Sequence, residues 1–105
     1  MSRHYLYRVQ PTREGFLIES TPDEDAIVSE HFEYLKTLTE QGIVLLAGRT
    51  LTTDAASHGL VLLRAESERA ARALMNGDPA VAAGLFRAEL LPFGIALVSE
   101  DIVAL

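Results

Sequence analysis

The chain contains no cysteine. It therefore has no disulfide framework, no thiol nucleophile and no cysteine-based zinc site. Basic residues are scarce: nine Lys and Arg stand against fifteen Asp and Glu, a formal net charge of -6. That balance argues against nucleic acid and anionic membrane as partners, because both are bound largely through an excess of Lys and Arg. No apolar run approaches the ~20 residues that a membrane-spanning helix needs. Met1-Ser2-Arg3-His4-Tyr5 carries no signal-peptide pattern. The histidines show neither HxxxH nor HExxH spacing, and GxSxG, P-loop and GxGxxG motifs are missing. Neither a metal nor a cofactor is expected. A small, acidic, cytoplasmic protein is.

What is present is enough apolar material for one core. Of 105 residues, 49% are apolar and 23% charged, so a single domain over residues 1–105 is expected. Tyr5, Tyr7 and Val9 alternate with Leu6 and Arg8, which predicts a first strand over about His4 to Val9. Gln10 to Gly15 reads as a turn, and Phe16-Leu17-Ile18 as an ordered lead-in to a helix. Thr21-Pro22-Asp23-Glu24 combines a cap, a proline for the first helical position and the glutamate of a capping box. The helix should run to about Gln41, with Gly42 as its left-handed stop. Ile27, Val28, His31, Tyr34, Leu35 and Leu38 fall on one stripe of it, and His31 lies near the middle of that stripe.

Ile43 to Gly48 and Gly59 to Ala65 read as strands around a polar loop, Thr50 to His58. Ser67 caps a second helix that stops at Asn76-Gly77. Asp78-Pro79 opens a short helix ended by Gly84, and a last strand covers about Leu85 to Leu91, before Pro92. Strand, helix, two strands, helix, strand is the split βαβ pattern. It predicts an α+β, ferredoxin-like βαββαβ fold: a four-stranded antiparallel sheet with its helices on one face. The second and third strands are apolar on both sides, so the helix-free face needs a cover. The simplest cover is the same face of a second copy, a two-fold homodimer. The segment from about 93 to 105 is apolar for a chain end and is expected to dock on the body or on a partner subunit.

His31 is the most informative residue. An imidazole in an apolar stripe without a hydrogen-bond partner costs about 1–3 kcal/mol. It is therefore either a core or interface histidine bonded to a backbone carbonyl, or a general acid/base oriented by a carboxylate. Asp78 reads as a helix cap before Pro79. Capping does not exclude a catalytic role, since a carboxylate has two oxygens to share. Arg49, after Gly48 at the end of the second strand, can hold an anionic substrate group or pair with a surface acid, and Gly48 can permit close backbone approach there. His58 is a loop residue or the rim of a pocket. Spacing alone does not bring these residues together.

Several stretches are similar to the YCII-related family. They are Glu30-His31-Phe32-Glu33-Tyr34-Leu35, Leu46-Ala47-Gly48-Arg49-Thr50-Leu51, Gly77-Asp78-Pro79-Ala80-Val81-Ala82-Ala83-Gly84 and Glu89-Leu90-Leu91-Pro92-Phe93. The likeness spans about residues 4 to 97. It implies a dimeric α+β barrel, two ferredoxin-like sheets packed face to face. It also implies a His/Asp pair, here His31 and Asp78. The family's few enzymatic relatives include a dehydrochlorinase of a chlorinated hydroxyhydroquinone, and the wider superfamily includes muconolactone isomerase. What they share is proton transfer on small cyclic substrates. Two positions depart from the pattern: Arg49 stands where many members have proline, and Val28 where many have arginine.

Two functions follow as expectations. The first is a cofactor-free lyase or isomerase in which His31 moves a proton, Asp78 orients it, and Arg49, Gly48 and His58 contact a small organic substrate. The second is a non-catalytic small-molecule-binding or accessory dimer.

Overall fold

Alternation along the first strand builds the floor of the core. In the computed structural model, which describes residues 3–103, β1 (Arg3–Pro11) buries Tyr5, Tyr7 and Val9 and leaves the residues between them half-buried. The other elements are α1 (Pro22–Glu40), β2 (Val44–Arg49), β3 (Gly59–Ala65), α2 (Glu68–Asn76), α3 (Pro79–Ala82) and β4 (Phe86–Phe93), with a 3-10 turn at Glu100–Val103. The sheet order is β2-β3-β1-β4 and every pairing is antiparallel, the ferredoxin-like arrangement. Tyr5, Tyr7 and Val9 join Val61, Leu63 and Ala65 of β3 and Leu90 of β4 beneath Leu35 and Leu38 of α1 and Ala71 and Met75 of α2.

β2 is shifted by one residue from the expected Ile43 to Gly48. β1 and β4 run further than expected, for one reason. β1 extends through Pro11 and β4 through Phe93 because the two strands pair along their whole length, from His4 opposite Phe93 to Pro11 opposite Phe86. β4 is an edge strand, and an edge tolerates a residue with no N–H, so Pro92 does not stop it.

The start of α1 follows from its first residues. The Thr21 hydroxyl accepts the Glu24 N–H at 3.2 Å and the Glu24 carboxylate accepts the Thr21 N–H at 2.9 Å, a closed capping box. Arg13 grips the same carboxylate with two nitrogens, at 2.8 and 2.7 Å, and donates to the Glu19 carbonyl at 2.8 Å. The lead-in loop is thereby tied to the helix. The Arg13 hydrogen bonds, then the Thr21 N–H, hold the Glu24 carboxyl down to about 2 from an ordinary 4.5. A depressed carboxyl stabilises the fold above its unfolded value, and that contribution is lost as pH falls from 4.5 through about 2. Carboxyl NMR titration is expected to place Glu24 near 2 in the native protein, and Arg13→Gln to move it back towards the ordinary range. A native Glu24 titrating near 4.5 would contradict the clamp.

The face without helices is open. Register places Leu46, Leu62, Leu6 and Leu91 in one row across all four strands, one leucine from each. Leu60 and Phe93 lie on the same face and are exposed. Beyond β4 the segment stays out in solvent on the single chain: Leu97 is 95% exposed, and Ile95, Val98 and Ile102 are exposed as well. The described part of the tail therefore does not bury itself on the body. Residues 104 and 105, the end of the segment expected to dock, lie outside the described residues. Among the described residues no helix is long and apolar enough to cross a membrane.

Candidate active site

The site forms where α1, α3 and β4 meet above β1. Asp78 is the N-cap of α3, with its carboxylate accepting the Ala80 N–H at 3.0 Å, and Pro79 fills the first helical position. The residue is 0% exposed. A buried carboxylate needs donors, and this one has three. Besides Ala80, the Tyr7 hydroxyl donates to Oδ2 at 2.8 Å, and Nδ1 of His31 lies 2.8 Å from both carboxylate oxygens.

The approach of His31 to Asp78 is fixed one turn further along α1. Tyr34 donates its hydroxyl to the Leu74 carbonyl in the last turn of α2, at 2.6 Å. Gly77 makes room for that contact. A Cβ there would stand 3.0 Å from the Tyr34 oxygen and 3.3 Å from the Ala73 carbonyl. Tyr34 thus fastens α1 to the segment that carries Asp78. The His31 ring also packs edge-to-face with Phe86, with centroids 5.4 Å apart at 89°. Phe86 in turn meets Phe16 of the lead-in loop at 5.7 Å and 86°. These are edge-to-face contacts, favoured by aromatic quadrupoles.

The geometry assigns the imidazole tautomer. A carboxylate only accepts, so Nδ1 of His31 carries the proton and, in the neutral ring, Nε2 keeps its lone pair. The His31 side chain is 16% exposed. Among the described residues Nε2 has no protein partner, and no buried side-chain nitrogen or oxygen is left unsatisfied. Nε2 therefore opens to solvent while Nδ1 faces inward. Burial first, then the Asp78 charge and hydrogen bond, push the Tyr7 hydroxyl far above its ordinary range. Both effects favour the protonated, donating form of Tyr7. Burial and then the Asp78 charge also raise Tyr34.

Of the residues expected at a site, the structure brings together His31 and Asp78 and leaves the others apart from them. Gly48 pairs with Leu60, so it belongs to the helix-free face, opposite the side on which His31 lies, and a Cβ there would meet nothing within 4 Å. Among the described residues no protein group uses its missing side chain for close approach. Arg49 pairs with Gly59, which pairs with Val9, so it belongs to the helix side but two strands away from β1. Among the described residues it makes no ion pair. His58 turns onto its own loop, with Nδ1 2.7 Å from the Ala56 carbonyl. Tyr7 was invisible as a site residue in the sequence. Its alternation with Tyr5 and Val9 marks it as core, and only the packing of β1 beneath the start of α3 shows what its hydroxyl reaches.

The fold and this cluster define a ferredoxin-like α+β domain with a buried aspartate paired to a helix-borne histidine. The chain belongs to the YCII-related domain family, whose model matches residues 6–93. It is similar in structure to a 5-chloro-2-hydroxyhydroquinone dehydrochlorinase from Burkholderia phenoliruptrix, solved with 2,5-dihydroxybenzoquinone. That likeness has a TM-score of 0.63 at 20% identity and covers 86% of this chain and 93% of the other. It is also similar to an uncharacterised protein from Thermotoga maritima, with a TM-score of 0.53 at 19% identity, over 90% of this chain and all of the other. Comparison with curated proteins returns no match.

Proposed function

We propose that this protein is a cofactor-free enzyme of the lyase or isomerase type, in which Nε2 of His31 takes a proton from a carbon of a small organic ring and Asp78 holds the imidazole in place. The observation that carries this reading is the contact of Nδ1 with the fully buried Asp78 carboxylate, at 2.8 Å, with Nε2 left open. That arrangement presents a base of fixed tautomer to solvent. It also stabilises the imidazolium formed when the proton arrives, through a buried opposite charge. Returning the proton to another carbon completes an isomerisation. Expulsion of a leaving group from the neighbouring carbon completes an elimination. The dehydrochlorinase neighbour supports a ring substrate, and the aromatic ring of Phe86 beside His31 suits one. Arg49, on the helix side and without an ion pair among the described residues, is the candidate partner for an anionic substituent.

The test is deuterium exchange from solvent into a panel of hydroxylated cyclic compounds, followed by proton NMR with wild type and His31→Ala. Exchange catalysed by wild type and lost in His31→Ala is the expected result. Exchange that survives the substitution removes His31 from the mechanism. Binding with no exchange at all favours a small-molecule-binding module.

The assembly belongs to the same proposal. The leucine row across the helix-free face is the surface on which a second copy packs, and the exposed tail after β4 docks on that partner. Leu62 is the central residue, paired on one side with Leu46 and on the other with Leu6. Light scattering coupled to size-exclusion chromatography is expected to give a dimer for wild type and a monomer for Leu62→Glu, since a charge buried there would have no partner. A Leu62→Glu protein that remains dimeric would place the interface elsewhere.

A further inference from the structure

The acid–base reading uses His31 and Asp78 but gives no part to a buried polar group that touches Asp78, the hydroxyl of Tyr7. This residue is 1% exposed and sits in the sheet, yet its oxygen reaches the carboxylate across the floor of the site. The arrangement around Asp78 is balanced. Oδ1 takes the Ala80 N–H at 3.0 Å and Oδ2 takes the Tyr7 O–H at 2.8 Å, while Nδ1 of His31 stands 2.8 Å from each oxygen. One donor on either side fixes the plane of the carboxylate, and the histidine nitrogen lies between its two oxygens.

We infer that Tyr7 is a positioning residue that sets how strongly Asp78 holds the His31 proton. The assignment rests on the acid–base reading of His31. A hydrogen bond to a carboxylate disperses its negative charge. With the Tyr7 donor in place, Asp78 orients the imidazole but attracts its positive form less strongly than a bare buried carboxylate would. Remove the hydroxyl and the charge concentrates towards Nδ1. The imidazolium is then held more tightly, and Nε2 becomes a worse acid and a base available only at higher pH.

Every neighbour of the carboxylate enters this balance. From α1 come His31 and, through its charge interaction with Asp78, Tyr34; from β1 comes Tyr7; from α3 comes the Ala80 amide; and β4 contributes the uncharged ring of Phe86. Among these, Tyr7 is the only side chain besides His31 that hydrogen-bonds the carboxylate. Burial beside Asp78 also favours its protonated, donating form.

The experiment titrates the His31 ring nitrogens by long-range nitrogen–proton NMR in three proteins: wild type, Tyr7→Phe, and wild type carrying a ring-fluorinated tyrosine at position 7. The fluorinated phenol is more acidic and donates more strongly, so the two changes push in opposite directions. The midpoint is expected to rise by on the order of half a pH unit in Tyr7→Phe and to fall in the fluorinated protein, with the Nδ1–H tautomer kept in both. The fluorinated protein keeps the hydroxyl and nearly the volume of tyrosine, so it reports even if Tyr7→Phe does not fold. A midpoint unmoved by fluorination, or two shifts of the same sign, would overturn the assignment and leave Tyr7 a core residue. The readout needs no substrate. Failure of the acid–base reading shows in the exchange assay, and failure of the Tyr7 assignment shows here.

Discussion

Asp78→Ala is expected to destabilise the protein by about 3–5 kcal/mol, because each buried donor left without its acceptor costs about 1–3 kcal/mol. The loss is large because one side chain satisfies groups from three places at once. Without it the Tyr7 hydroxyl, 1% exposed, has no acceptor in the core. The Ala80 N–H loses its cap at the start of α3. His31 loses the group that orients it. For a domain of this size each kcal/mol moves the melting temperature by roughly 4–8 °C, so thermal unfolding followed by circular dichroism should show a fall of more than about 10 °C. A loss of only a degree or two would mean that water replaces the carboxylate, and that the site is less closed than its burial indicates.

His31→Ala is expected to do the reverse: to spare the fold and remove the chemistry. The imidazole reaches solvent, so water can enter the space it leaves and donate to Asp78 in its place. Tyr7 and Ala80 remain bound to the carboxylate. The stability cost should stay at about 1.5–3 kcal/mol at most, the order of one hydrogen bond to a charged group. The rate of any proton transfer that the wild type catalyses should fall by about 10²- to 10⁴-fold, the usual contribution of a positioned acid or base. Exchange rates measured alongside chemical denaturation check both halves. If stability collapsed with activity, His31 would be a structural residue first. If activity persisted, another base would be at work.

The fold was legible because local signals agreed with one another. The capping box at Thr21, the left-handed stop at Gly42 and the Ser67 and Asp78 caps all stand where residue type placed them. Strand ends were less legible. Whether Pro11 and Pro92 lie inside or outside a ladder depends on the partner strand, not on their own preferences. At the site, His31 and Asp78 were each readable as candidates from their local settings, an apolar stripe and a helix start. Their contact was not readable from spacing, since it joins positions far apart in the chain through the packing of α1 on α3. Gly48 and Arg49 are neighbours in sequence but belong to opposite faces of the sheet, because successive strand residues alternate. Tyr7 hid within an ordinary core alternation. Its hydroxyl matters only because a carboxylate from another element is lowered onto it.

The double duty of Asp78 has an evolutionary consequence. As cap of α3 and acceptor for Tyr7, it is required by folding whether or not any substrate is present. Selection for stability alone would keep it. His31 lies on the rim, where its loss is expected to cost the fold little, while under the proposed acid–base reading it carries the reaction. In a lineage released from the need for this chemistry, position 31 should drift first and position 78 last. Under that reading, a descendant with an aspartate at 78 and no histidine at 31 would be a folded protein that has given up its reaction.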